Sequence, residues 1–277
     1  MNPELSNLET ASEFHLVNPE LEGDAFFWKG GDKGILLIHG LTATTAEVRP
    51  LAKRFHDEGF TVSAVLLPGH GTTPEELNQT QRKEWIAACE KAYSELREKC
   101  SSVIVGGEST GAILTLHLAS EHPEIKALLL FAPAMRLSAS FLKTLFLIAV
   151  SSFVFAIPKK FENDTGSIPW QGYKVNPLKA GVQLLKLQRE TEKRLPRIYQ
   201  PTLIIQASLD NTVDLKSGDM ISRGIQSAVR ESHWMEKSNH VVILDNELEE
   251  VTTITLEFVK KYYSSIISTF FLEVGSL

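Results

Sequence analysis

The sequence predicts an α/β fold, a mostly parallel sheet with helices on both faces. Two observations carry that prediction. Apolar strand-like runs alternate with amphipathic segments along the chain, the pattern of crossover-connected strands. One such run, Val103, Ile104, Val105, leads directly into Gly107-Glu108-Ser109-Thr110-Gly111 and then into the helix-like Ala112, Ile113, Leu114, Thr115, Leu116. At 277 residues with 43% hydrophobic content the chain suits one larger α/β domain with a full core.

Strands are expected at 35–38, 61–65, 103–106, 127–131, 202–206 and 232–236. Helices are expected between them. Thr44-Thr45-Ala46-Glu47 reads as a capping box for a helix that turns Leu51 and Phe55 inward and stops at Gly59. A second helix runs from about Gln81 to Lys99 with Trp85, Ala88, Ala92 and Leu96 on one stripe, and the last from about Asn246 to Tyr262 with Val251, Ile254 and Phe258 inward. Cys89 and Cys100 fall on or beside the second helix, roughly 16 Å apart at its rise per residue, too far for a disulfide.

About seventy residues separate the strand at 127–131 from that at 202–206, far more than a crossover helix needs. A cap insertion over about 134–196, within a single domain spanning 1–277, is the economical reading. Within it Phe141 to Ile157 is strongly apolar, stopped by Pro158, Lys159 and Lys160. It is too short for a membrane span and interrupted by Lys143 and two serines. It reads either as a buried helix or as a cap helix that lines an acyl pocket and makes transient contact with a lipid interface. On the second reading Met135, Phe146 and Phe153 are candidate substrate-binding residues.

The Gly-x-Ser-x-Gly turn holds its serine in a strained conformation between strand and helix, and the glycines allow the two to approach. A serine hydroxyl needs a base, and the base an orienting acid. The acid candidate is Asp210, at the carboxyl end of the run Thr202, Leu203, Ile204, Ile205, the edge where open α/β sheets place ligands. Asp214 reads more simply as a helix cap and Asp219 is a further rival. Of the histidines beyond Asp210, His233 lies inside a strand, whereas His240 follows Lys237, Ser238 and Asn239 in a loop. His240 is therefore the candidate base. Two amides are needed for an oxyanion, and those of Leu41, in the loop after the first strand, and of Thr110 are the candidates. His39 precedes the nucleophile and reads as a brace for that loop.

With His39-Gly40, Pro68-Gly69-His70-Gly71, Gly107-Glu108-Ser109-Thr110-Gly111, Asp210 and Ser238-Asn239-His240-Val241 in order, the chain resembles the α/β-hydrolases. Over about residues 24–262 it resembles, more narrowly, bacterial carboxylesterases and monoacylglycerol lipases with a small cap. The resemblance implies Ser109 as nucleophile, Asp210 and His240 as its partners and the Leu41 and Thr110 amides as oxyanion hole. It also implies hydrolysis of short to medium chain carboxylic esters, monoacylglycerols among them, with no cofactor and no metal. Thioesterases, acyltransferases and carbon–carbon bond hydrolases use the same three residues. A silent hydrolase fold that binds a small ligand is the alternative outside enzymes. Glu108 departs from the common pattern and, if neither solvated nor paired, would raise the pKa of His240.

A net charge of −6 without a basic block argues against nucleic acid. The polar start, Met1 to Glu13, is not a secretory signal, and a cytoplasmic enzyme is expected. The apolar tail with Ile266, Ile267, Phe270, Phe271 and Leu272 leaves monomer and homodimer both open.

Overall fold

The computed structural model describes residues 16–139, 141–159 and 168–264. Its central sheet has seven strands: β1 (Phe26–Trp28), β2 (Lys33–Ile38), β3 (Thr61–Val65), β4 (Ser102–Glu108), β5 (Leu128–Phe131), β6 (Thr202–Ala207) and β7 (Arg230–Met235). Their order across the sheet is β7-β6-β5-β4-β2-β3-β1. Every pair is parallel except β1 with β3. Among the described residues eight α-helices accompany them: α1 (Arg49–Asp57), α2 (Pro74–Gln79), α3 (Arg82–Arg97), α4 (Thr110–Ala119), α5 (Phe141–Val150), α6 (Leu178–Glu192), α7 (Ser217–Gly224) and α8 (Leu248–Ser264).

Two core layers follow from the period-2 alternation of buried strands. From β2, Leu36 and Ile38 join Trp85 and Leu96 of α3 and Ile113 and Leu116 of α4. Ile35 and Leu37 face the other way, toward Leu51 and Phe55 of α1 and Val251 and Phe258 of α8. The chain leaves β2 toward β3 on one side and returns to β4 on the other, so strand order reverses between β2 and β4. That reversal opens a crevice beyond their carboxyl ends.

The six expected strands are all present, with ends displaced by a residue or two. β1 was not foreseen. It is a short antiparallel edge that pairs Phe26–Trp28 with β3; Phe26 and Trp28 stack at 4.2 Å, and the Arg49 guanidinium of α1 lies 4.3 Å from the Phe26 ring centre, contacts that a three-residue run does not announce in sequence. The capping box at Thr44 also needs correction. Thr44 Oγ1 accepts from the Ala46 amide at 3.3 Å, but a 3₁₀ turn at Thr45–Glu47 intervenes before α1, and the Glu47 carboxylate bonds the Gly40 amide instead of returning to Thr44. The reciprocal box stands at α3, where Glu84 accepts from the Gln81 amide at 2.8 Å.

Between β5 and β6 the chain builds α5, an antiparallel ribbon pairing Ala156–Pro158 with Val175–Pro177, and α6. Gly172–Tyr173 pairs with Leu16–Val17. The apolar stretch 141–157 is not one buried helix: α5 ends at Val150, and Leu145 and Phe146 are exposed. Cys89 and Cys100 are buried free thiols. No helix of the described residues is long and apolar enough to cross a membrane. The polar start and the apolar tail after residue 264 lie outside the described residues.

Candidate active site

Ser109 stands between β4 and α4 with φ +52° and ψ −110°, a region that L residues other than glycine rarely occupy. Its flanks explain how it is held there. A Cβ on Gly107 would lie 2.3 Å from the Gly111 carbonyl carbon, and one on Gly111 would lie 2.0 Å from the Ile38 oxygen. α4 is thus in backbone contact with β4 and with β2, and neither glycine can take a side chain without parting the helix from one of them. The Ser109 amide donates to the Phe131 carbonyl at 2.9 Å, while its own carbonyl accepts from the Ala134 amide at 3.2 Å.

His240 lies 131 positions away in sequence, yet its Nε2 is 2.9 Å from Ser109 Oγ. Its Nδ1 is 2.7 Å from Asp210 Oδ2. The other Asp210 oxygen accepts from the Thr212 and Val213 amides at 2.8 and 2.9 Å, so this carboxylate has three donors and a fixed direction. The carboxylate bond places the Nδ1 proton on the Asp210 side and leaves Nε2 to accept from the serine. Hydroxyl, imidazole and carboxylate in line can pass a proton from serine to ring. Asp214 serves a turn, its Oδ1 accepting from the Lys216 amide, and Asp219 pairs with Arg223. His233 stays within β7.

The loop bearing Leu41 follows β2. No other group among the described residues accepts from the Leu41 or Thr110 amide. The His39 ring is fully buried: Nε2 accepts from the Leu67 amide at 3.1 Å, and Nδ1 meets the Gly40 carbonyl at 2.8 Å. That carbonyl belongs to the same planar peptide as the Leu41 N–H, so His39 orients the amide directly. Burial pushes its pKa down to about 4, against the opposing Gly40 bond, and the neutral ring is the form that can accept from Leu67. His70 packs edge-on against it at 5.0 Å.

Glu108 corrects an expectation. It is fully buried, and neither oxygen has a hydrogen-bond partner among the described residues. Burial, then the carboxylates of Glu47 and Asp210, push its pKa well above the ordinary range. Burial without a donor thus disfavours the charged form of Glu108, the form whose charge the sequence placed beside His240. Met135 is buried one residue beyond the Ala134 that bonds Ser109. Phe146 and Phe153 are not brought to the serine by any described contact; they are 65% and 91% exposed.

Two residues that hold the His240 loop escaped the sequence reading. Glu247 accepts from the Glu236 and Lys237 amides and from Ser238 Oγ at 3.1, 2.8 and 2.6 Å, and Asp245 accepts from the Asn239 amide at 2.6 Å. They read as the acidic start of α8. The signal that points to them is the run of loop amides before His240, each of which needs an acceptor. Among the described residues no cluster of His, Cys, Asp or Glu is suited to a metal.

A strained serine at a strand–helix turn, facing an imidazole and a carboxylate at the carboxyl edge of an open sheet, defines a serine hydrolase of the α/β-hydrolase class. A family model described as serine aminopeptidase, S33, matches residues 31–167. A thermostable monoacylglycerol lipase of Bacillus sp. (strain H-257) is 31% identical over 245 residues, 88% of this chain and 97% of that protein. A carboxylesterase of Bacillus subtilis (strain 168) is 30% identical over 243 residues, 85% and 96% of the two chains. A solved structure from work on two metagenome-derived lipolytic enzymes superposes with a TM-score of 0.82 at 31% identity, covering 87% of this chain and 99% of that one. The chain belongs to the α/β-hydrolase family of these enzymes.

Proposed function

We propose that this chain is a serine esterase that cleaves short to medium chain carboxylic esters, monoacylglycerols among them, through an acyl-enzyme on Ser109. One observation carries the proposal: His240 sits 2.9 Å from the Ser109 hydroxyl and 2.7 Å from Asp210. Ser109 Oγ attacks the ester carbonyl as His240 takes its proton, and Asp210 holds the ring and stabilises the imidazolium. The Leu41 and Thr110 amides receive the oxyanion, helped by the positive end of α4. As the tetrahedral adduct collapses, the carbon–alkoxide bond breaks and His240 protonates the departing alcohol. Water, deprotonated by the same ring, then attacks the acyl-enzyme and releases the acid and the serine.

The substrate class draws on the relatives named monoacylglycerol lipase and carboxylesterase. Residues 134–196 act as the cap. The exposed Phe146 and Phe153 with Leu145, Val154 and Phe155 offer acyl chains an apolar approach and give the cap transient contact with a lipid interface. Ser109→Ala is expected to lower kcat on a p-nitrophenyl ester by several powers of ten while the melting temperature holds. Undiminished turnover by the purified variant would refute the assignment.

A further inference from the structure

Two consecutive peptide groups lead to the Leu41 N–H, and each is held by its own side chain. His39 holds the second through the Gly40 carbonyl. The first is held by Glu47, whose Oε2 accepts from the Gly40 amide at 2.6 Å. Glu47 is 3% exposed, and it and Ser109 both border Gly40: a Cβ there would be 3.2 Å from Glu47 Oε2 and 3.3 Å from Ser109 Cβ.

The other Glu47 oxygen looks outward from the core. Oε1 accepts from Trp170 Nε1 at 3.0 Å, across 123 positions of sequence. The Lys159 ammonium lies 4.2 Å from the Trp170 ring centre and donates to Thr42 Oγ1. The Thr42 carbonyl accepts from the Tyr173 amide at 2.9 Å, and Ala43 bridges to Gly172. The inserted segment therefore meets loop 39–43 at three places, and Glu47 at a fourth.

Glu47 and Glu108 are two neighbouring buried carboxyls with different partners. Glu47 has two N–H donors and an ammonium nearby, whereas Glu108 has neither. When adjacent carboxyls compete for one charge, it settles on the one with donors. Burial pushes the Lys159 pKa down to about 7, opposed by Glu47, and burial pushes Glu47 up, opposed by the Gly40 amide, Trp170 and Lys159 among others. Each charge supports the other.

We infer that Glu47 is a positioning residue for the oxyanion hole: its carboxylate aims the Gly40 peptide and ties loop 39–43 to Trp170 and Lys159, so the inserted segment sets where the Leu41 amide points. This rests on the assignment of Ser109 and Leu41 above. It gives the inserted segment a part in the chemical step in addition to substrate selection.

Glu47→Gln supplies the test. A glutamine offers one acceptor and one NH₂ where the site presents two donors, so a donor must face a donor at Gly40 or at Trp170. The expected result is a kcat on a p-nitrophenyl ester lower by about 10- to 100-fold, below the cost of losing an oxyanion donor outright, with KM changed less than about threefold. The affinity for a trifluoromethyl ketone, which forms a tetrahedral adduct on the serine, falls in parallel with kcat. Adding Trp170→Phe removes one of the two donors, and the double variant regains most of the lost kcat. A Glu47→Gln enzyme within about twofold of the parent in kcat, or a double variant no faster than the single one, overturns the inference. If Glu47→Gln does not fold, Glu47→Asp decides. It keeps the charge but cannot span both donors, so a fall in kcat at constant KM is expected, and an unchanged kcat overturns the inference. Inactive Ser109→Ala with unaffected Glu47 variants sinks this inference alone, whereas active Ser109→Ala sinks the esterase reading beneath it.

Discussion

The catalytic edge and the inserted segment are built to different standards. At the edge each group is held at least twice: Asp210 by three donors, His240 at both ring nitrogens, His39 at both of its own. In the insertion, α5 and the turn after it leave Leu145, Phe146, Phe153, Val154 and Phe155 exposed, and among the described residues its strands are short ribbons. On the proposed reading the difference separates two tasks. Proton transfer tolerates little misplacement, while accommodating acyl chains of different length asks for apolar surface that need not be rigid.

The largest expected effect breaks the tight side. Asp210→Asn keeps the volume but presents an NH₂ or a neutral oxygen to the imidazole, favouring the wrong tautomer, and kcat on a p-nitrophenyl ester should fall by about 10³- to 10⁴-fold with the fold intact. A loss below about tenfold would mean that the ring does not depend on this carboxylate.

A smaller effect, read in stability, concerns Glu108. Its carboxyl keeps its proton in the folded chain to a pH well above the ordinary range, so as pH rises the unfolded chain releases that proton first. The folded chain then binds more protons, and its stability declines with rising pH from about 4.3 up to the raised folded value, by at most about 1.4 kcal/mol per unit. Glu108→Gln has no such proton to lose. Its advantage in melting temperature over the parent should widen between pH 5 and 8. A pH-independent gap would show that the buried carboxyl is ionised in the native protein.

The smallest effect probes the loose side. Phe146→Ala with Phe153→Ala should lower kcat/KM for octanoyl and longer esters roughly threefold to tenfold, the scale of about 1 kcal/mol of apolar contact, and leave acetyl esters near the parental value. An unchanged chain-length preference would remove these rings from the acyl path.

The catalytic edge was largely legible in the sequence because its signals are local. The strand runs, the Gly107 to Gly111 turn, and the polar loops bearing Asp210 and His240 each declare themselves within a few residues. What escaped depends on distant partners. β1 pairs with a strand more than thirty positions on, the His240 loop needs Asp245 and Glu247, and Glu47 was assigned to Thr44 because spacing suggested a capping box while Gly40 and Trp170 lay outside the window. For Glu108 the side chain was correctly singled out, but its charge depends on burial, which residue identity alone does not reveal.

Ser109 keeps its left-handed backbone in the presence of a Cβ, at a cost of about 1–3 kcal/mol borne by the rest of the fold. Glycine would relax that turn without protest from its neighbours, and would leave nothing there to acylate. Sturdiness and turnover therefore make opposite demands on this one position, and a lineage selected for heat resistance alone would drift toward an inert protein.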